Sequence, residues 1–471
     1  MTSKTNIDKY TYYFLFFLLV LHIILLANTK FTLWPEMVVY PYLLNNNFLL
    51  YKDIINPYPP ALSYFLGHFS KIFGYYPLPY ELFTWAVVIL TDILVFILAT
   101  KITKRFFLGL LSASFFIIFS IPFGINGLWF DIIQTPFILL SIYFFYKFLK
   151  DDKTKHLSWS FLLLFVAIFI KQQVAWLMPW YLFFMINCKK FNLAHDFKKI
   201  LPMLILVTLV SAMHLLFFYK IGTLNEFLFW NINFPLLQAS KSPGYILLPT
   251  FRQTLVVLSA FLIFLPVLFL KEKHHRFLLF TTVFLILFAY PRFDYFHLIP
   301  FLAVISLIVG QVVENFSKIS LAVKTVSILS LVFLGSFAAR FYLNNWTAEV
   351  RFFEREIFDS AVFISNYVPK EEKVYIQNGP DQLLVLSQRL PPKPWADEFS
   401  WYLEIGGMQD EIIQGIRMEQ TKFIVFKPYE DGGKYTLGSY RPKKIADLID
   451  KDYENMMQIS QTLWLKLKYE D

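Results

Sequence analysis

The chain alternates long apolar runs with short polar stretches that are often basic. Runs close to the length of a bilayer span recur from Tyr10 to Ala339, which predicts a polytopic helical membrane protein. The first run, Tyr12 to Ala27, has no small-x-small cleavage site and is followed by many more, so a retained helix is expected there. Lysines and arginines cluster at Lys4–Lys9, Lys101–Arg105, Lys147–Lys155, Lys189–Lys199, Lys271–Arg276 and Lys318–Lys324. Basic flanks mark cytoplasmic loops, so consecutive clusters must be joined by an even number of crossings. The stretch from His156 to Ile186 has basic flanks on both sides. It is therefore expected to be a short hairpin broken at Lys171-Gln172-Gln173, with its tip outside.

Applied throughout, the rule gives about eleven spans. They lie near 10–28, 82–100, 106–123, 129–148, 157–170, 173–187, 200–219, 253–270, 277–290, 297–313 and 321–339. The N-terminus is expected inside and the chain after Phe341 outside. The runs 157–170 and 173–187 are shorter than a span and need other helices or a water-filled cavity around them. Beyond about residue 345 the pattern changes. Apolar runs shorten to strand length in KVYIQN (373–378) and TKFIVFKP (421–428), with helical stretches at Asp410–Glu419 and Lys444–Tyr453 and charges of both signs between them. This predicts a membrane domain over 1–344, with a long first outer loop at 29–81, and a small non-cytoplasmic α/β domain over 345–471.

Composition strengthens the membrane reading. Hydrophobic residues make up 57% and aromatics 20% of the chain, more than a soluble domain usually carries. The net charge of +9 first reflects topology, and no nucleic-acid partner is expected. A single cysteine, Cys188, excludes an intramolecular disulfide.

Placed on this topology, the polar residues that are hard to explain all fall on the outer side. Glu36 and Asp53 lie in the first outer loop, and Asp131 at the outer end of the fourth span. Lys171 stands at the hairpin tip, and Arg292, Asp294 and His297 in the turn YPRFDYFHLIP. Ionisable groups at membrane level cost several kcal/mol unless they pair or face a cavity, about 2.5–3.5 on insertion scales. A shared outer cavity would accommodate them. Each residue also has a plainer reading. Glu36, after Pro35, suits the first turn of a helix, and Asp53 a turn cap. Asp131 suits a bond to Lys171, Lys171 and Arg292 suit interfacial anchors, and His297 suits packing. Asp92, within the second span, suits an interhelical hydrogen bond.

An acid just outside the first span, followed by LYKDIINPYPPALSYFLGHFSKIFG, resembles the first loop of GT-C membrane glycosyltransferases. The likeness is greatest to the group of protein O-mannosyltransferases and lipid-A aminoarabinose transferases, glycosyltransferase family thirty-nine. Asp131 in LWFDIIQTPFILL, the IKQQVAWLMPWYL hairpin and YPRFDYFHLIPFLAV extend it along the membrane region. The family's first-loop acidic pair is usually Asp-Glu, whereas here Pro35 precedes Glu36.

The resemblance implies an inverting enzyme that moves a sugar from a polyprenyl-phosphate donor to a protein, lipid or glycan acceptor on the outer face. Glu36 would be the general base, and the other catalytic carboxylate, Asp53, would orient the acceptor or bind a divalent cation with Glu36. Lys171, Arg292 and His297 would hold the lipid phosphate. Asp131 is the alternative to Asp53 for either part, and Tyr58 would belong to an aromatic sugar subsite. No cofactor is required, and scattered carboxylates give little support for a divalent cation. The expected location is a bacterial or archaeal cell membrane. Two other classes fit parts of the pattern. An O-antigen ligase or polymerase-like enzyme also uses outer Arg and His residues, though typically in a late loop. A lipid or glycan transporter or flippase would show repeated halves with charges along the depth of the bundle.

Overall fold

The computed structural model describes residues 2–188, 193–269, 273–429 and 440–469. Lys189, Lys190 and Lys271 of the basic clusters lie outside the described residues. The chain divides into two compact units, one built from Met1–Thr32, Glu81–Met213 and Leu248–Glu349, the other from Leu33–Tyr80, His214–Leu247 and Val350–Asp471.

The first unit is helical. Among the described residues, five helices are long and apolar enough to cross a membrane: Pro77–Thr103, Phe106–Gly124, Phe130–Asp151, Met203–Lys220 and Leu321–Asn345. A sixth is counted if Tyr295–Ser306 and Val309–Lys318, bent by 44°, form one span. Thr11–Ala27, Thr154–Ile170, Phe251–Leu262 and Arg276–Ala289 are apolar but shorter. The polytopic helical reading thus holds. Of the roughly eleven spans expected from basic flanks, five or six form helices of full spanning length, and other apolar runs form short or interrupted helices.

Helix Phe130–Asp151 lies in the centre of this unit, with Ile138, Leu139, Ile142 and Phe145 fully buried. It turns back through Asp152 and Lys153 onto Thr154–Ile170. The Tyr181 ring stacks on Phe145 at 4.1 Å, and its hydroxyl lies 3.0 Å from Ser141 Oγ. Small residues set the closest approach. A Cβ on Gly310 would stand 2.8 Å from Leu108 Cβ, so only glycine lets these helices meet. Asn126 closes the first helix by donating to the carbonyls of Leu26 and Thr29 at 2.9 and 2.6 Å, groups a helix end leaves unpaired. Asp92 pairs with His22 at 2.6 Å, and the other ring nitrogen of His22 lies 3.2 Å from Ser120 Oγ. This is the interhelical bond its position suggested.

The second unit combines the loop after the first helix, residues around 214–247 and the C-terminal portion. Its sheet has four strands in the order Val374–Gln377, Phe423–Phe426, Trp464–Lys468, Tyr453–Gln458. The first pair is parallel and the others antiparallel. Helices Arg355–Tyr367, Gln382–Ser387, Met408–Met418 and Lys443–Asp452 accompany it, and Ile424, Val425, Leu465, Ile445 and Ile449 form its fully buried centre. The loop contributes helices Glu36–Asn45 and Ala61–Phe73. Between them its backbone joins the C-terminal portion: Ile55 N–H donates to the Trp395 carbonyl at 3.0 Å, and Trp395 N–H to the Asp53 carbonyl at 2.8 Å.

Candidate functional site

Pro35 fixes the backbone for a helix start, and Glu36 is the first helical residue after it. An acid is favoured there by the N–H groups of the first turn. The side chain is only 8% exposed, and its Oε2 makes no hydrogen bond among the described residues. Burial pushes the Glu36 carboxyl up to about 7, opposed only in part by its own backbone N–H.

Two further acids, Asp381 and Asp397, feel the charge of Glu36, and a third, Glu398, feels theirs. Tyr40 lies one turn along the same face, and its hydroxyl donates to Asp397 Oδ2 at 2.7 Å. Asp381 precedes helix Gln382–Ser387, which packs against Glu36–Asn45. Burial, then the charge of Glu36, push Asp381 up to about 8. Asp397 is held well above the carboxylate range by burial and by the charges of Glu36 and Asp381. Glu398, raised by burial and by Asp381, accepts the Asn378 backbone N–H. The result is a dry carboxyl group poised to exchange a proton near neutral pH.

Asp53 is engaged differently. Its Oδ2 lies 2.8 Å from Lys393 Nζ and accepts the Leu49 N–H at 2.9 Å. Lys393 also donates to the Asn47 carbonyl and sits 4.4 Å above the Phe48 ring centre. Asp53 thus closes the turn that precedes it rather than capping a following helix, and it adds an ion pair. This pair lines a pocket of about 980 Å³ together with Lys52, Glu226, Trp230 and Glu411, a volume that suits a small ligand. Tyr58 is half-buried near the same loop. Its N–H donates to Asn56 Oδ1 at 2.9 Å, and its carbonyl accepts the Tyr51 hydroxyl at 3.0 Å.

In the first unit Asp131, Lys171 and His297 come together. Asp131 opens helix Phe130–Asp151 after extended Trp129. Lys171 stands where helix Thr154–Ile170 breaks into the short turn Gln172–Trp176. Asp131 Oδ2 lies 2.7 Å from Lys171 Nζ and 2.8 Å from His297 Nδ1, which are themselves 3.1 Å apart. Gln134 Nε2 donates to the other Asp131 oxygen at 3.1 Å. All three groups are buried, so the charges compensate one another away from water. Arg292 lies five residues before His297, in the turn that Asp294 organises by accepting the Tyr295 N–H at 2.6 Å.

Sequence reasoning missed Asp381, Tyr40 and Lys393, and in the sequence Asp397 and Glu398 look like any charged surface. One signal was available for Asp381. It follows the carboxyl end of a strand that turns out to be parallel, where α/β folds place their ligands. Among the described residues, no group of three or more His, Cys, Asp or Glu side chains is arranged to hold a metal ion.

Comparisons with known proteins agree with the resemblance read from the first loop. Residues 57–217 match the model of the family described as dolichyl-phosphate-mannose-protein mannosyltransferase. The fold is similar to that of ArnT from Cupriavidus metallidurans bound to undecaprenyl phosphate, at 11% identity and a TM-score of 0.62, over 97% of this chain and 98% of that one. The apo state of the same protein is similar at 11% identity and a TM-score of 0.59, over 98% of each chain. At this identity the likeness shows the fold alone. No curated protein sequence matches the chain.

Proposed function

We propose that this protein is an integral-membrane glycosyltransferase that moves a sugar from a polyprenyl-phosphate donor to a hydroxyl or amine acceptor on the outer face of the membrane. The observation that carries the reading is Glu36: a buried carboxyl with an unpaired oxygen and a raised proton affinity, in the loop that follows the first apolar helix. The family match over 57–217 and the GT-C fold support the reaction class. The donor class is supported by the solved relative crystallised with undecaprenyl phosphate.

In this reading the acceptor oxygen or nitrogen attacks the anomeric carbon as the bond from that carbon to the phosphate oxygen breaks. The configuration inverts. The acceptor's proton passes to Glu36, and the electron pair leaves with the polyprenyl phosphate. Phosphate is a good leaving group and needs cations more than a proton. Lys171, Arg292 and His297 are the proposed cations, with Asp131 holding Lys171 and His297 in place until the donor competes for them. The ion pair of Asp53 with Lys393 gives Asp53 an orienting part, in the pocket proposed to receive the acceptor, with Tyr58 contributing to a sugar subsite.

The test supplies wild type and Glu36→Gln, purified in detergent, with a panel of radiolabelled polyprenyl-phosphate monosaccharides. Wild type is expected to release lipid phosphate from one donor. Glu36→Gln should bind that donor equally well and turn it over at least about a hundredfold more slowly, as loss of a general base requires. Equal turnover would remove Glu36 from the role. Failure of wild type to bind any lipid-linked sugar would end the transferase reading.

A further inference from the structure

In the buried group of Asp131, Lys171 and His297, two side chains that can be cationic share one carboxylate. Both reach the same oxygen, Asp131 Oδ2: Lys171 Nζ at 2.7 Å and His297 Nδ1 at 2.8 Å. The other oxygen accepts Gln134 Nε2 at 3.1 Å, so both Asp131 oxygens are taken by protein donors. Two lone pairs would repel at 2.8 Å, which puts a proton on Nδ1, donated to Asp131. Nε2 is then the ring atom that can gain or lose a proton. It makes no hydrogen bond among the described residues. The His297 side chain is also the most accessible of the three, at 11% exposed against 4% for Lys171 and 0% for Asp131.

A doubly protonated imidazole would stand 3.1 Å from the Lys171 ammonium, with one negative charge between the two cations. Like charges that close disfavour each other's ionisation, and a buried charge needs a partner. The surroundings offer little else. The turn Tyr295–Leu298 packs against Phe106–Gly124, Phe130–Asp151, Ile299–Ser306 and Leu287–Ala289. Of these, only Phe130–Asp151 carries titratable side chains, and after Asp131 they begin at Tyr143, about 18 Å along the helix. The chain just before His297 adds Arg292, whose charge reaches the ring and has the same sign as that of Lys171. It also adds Asp294, whose carboxylate accepts the Tyr295 N–H, and Tyr295 itself.

From this geometry we infer that His297 is neutral in the unliganded protein and takes a proton at Nε2 when a lipid phosphate monoester is held beside it. The inference rests on the transferase reading for its ligand. In the donor the phosphate is a diester with one negative charge. When the bond from the anomeric carbon to the phosphate oxygen breaks, the electron pair stays on that oxygen, and the resulting monoester carries close to two charges at neutral pH. That second negative charge is the partner a protonated His297 lacks. The proton comes from water, stays on Nε2 while the monoester is bound, and returns to water when the lipid leaves. His297 thereby holds the departing phosphate more tightly than the donor, and an interaction that strengthens as the bond breaks lowers the barrier.

The test binds decaprenyl monophosphate, and separately its methyl diester, to the full chain in detergent. Calorimetry in buffers of different ionisation enthalpy counts the protons taken up at about pH 7.5, where an ordinary imidazole is mostly neutral and a phosphate monoester mostly dianionic. Wild type should take up about one proton with the monoester and almost none with the diester. Its affinity for the monoester should fall by up to roughly tenfold per pH unit above that point, as one linked proton requires. His297→Asn, which keeps a donor for Asp131, should take up none and lose this pH dependence. Nitrogen-15 spectra of histidine-labelled wild type should show the His297 ring neutral with its proton on Nδ1, and doubly protonated once the monoester is bound. The signal absent from His297→Asn identifies it, and the wild-type proton count needs no variant. Monoester binding without proton uptake overturns the inference and leaves the lipid-phosphate site standing. So does equal uptake by His297→Asn, or a ring already cationic in the unliganded protein at about pH 7.5. Failure of wild type to bind either lipid ends the donor reading and this coupling together. Proton uptake with the monoester in a protein that transfers no sugar would sustain the coupling and end the transferase reading.

Discussion

Lys171 stands at a break between apolar helices, and the net worth of its contact with Asp131 depends on what else is taken away. Removing one member leaves the other as an uncompensated buried charge, which costs about 3–5 kcal/mol, whereas replacing both with apolar groups is often neutral. Asp131→Ala and Lys171→Met should therefore each lower the thermal midpoint in detergent sharply. Asp131→Leu combined with Lys171→Met should recover most of the loss while abolishing any phosphate-dependent activity. If the double variant is as unstable as the singles added together, the charges do not depend on each other. The option of this pair was visible in the sequence, because two opposite charges on the same side of an apolar bundle have few alternatives. Glu36 was legible for a related reason, as an isolated acid in an aromatic loop. Asp381 was not. In GPDQLL it looks like an ordinary helix opening, and only the chain's three-dimensional path brings Glu36 to it.

Helix contacts in the first unit depend on residues whose role is invisible in a hydropathy pattern. Gly310 is such a case, since a Cβ there meets Leu108 Cβ at 2.8 Å and Thr103 Cγ2 at 3.1 Å. Gly310→Ala should cost about 1–3 kcal/mol through overpacking. Gly335 is the control. A Cβ there meets nothing within 4 Å, and alanine is the better helix former by up to about 1 kcal/mol. Gly335→Ala should thus be neutral or stabilising; equal losses at both positions, read from thermal midpoints, would show that packing is not the cause. The expected break at Lys171 and the strands 374–377 and 423–426 follow directly from sequence, because breaks in apolar runs and short aliphatic runs are local signals. The strand Tyr453–Gln458 was not foreseen. It carries an exposed, polar edge sequence without the alternation that marks a half-buried strand. Basic flanks fix parity, but not whether an apolar run is one continuous helix.

At the scale of the whole molecule, the raised carboxyls make the second unit's stability a function of pH with a definite sign. Glu36 is raised from 4.5 to about 7 and Asp381 from 3.8 to about 8. Between the ordinary and the raised values the folded chain binds more protons than the unfolded one, so stability falls as pH rises through that window. The contribution is fully present below about pH 4 and lost above about pH 8. For Glu36 alone the shift corresponds to about 3 kcal/mol. Wild type in detergent should therefore unfold at a lower temperature at about pH 8.5 than at about pH 5.5. Glu36→Gln and Asp381→Asn carry no charge to bury, so each should flatten the decline and be more stable than wild type at the alkaline end. A wild-type midpoint that rises with pH, or one that falls equally in both variants, would mean that these carboxyls are not protonated in the folded protein. The same balance links stability to catalysis: a base kept protonated by burial costs the fold stability as pH rises, and gains in return a proton affinity matched to neutral pH.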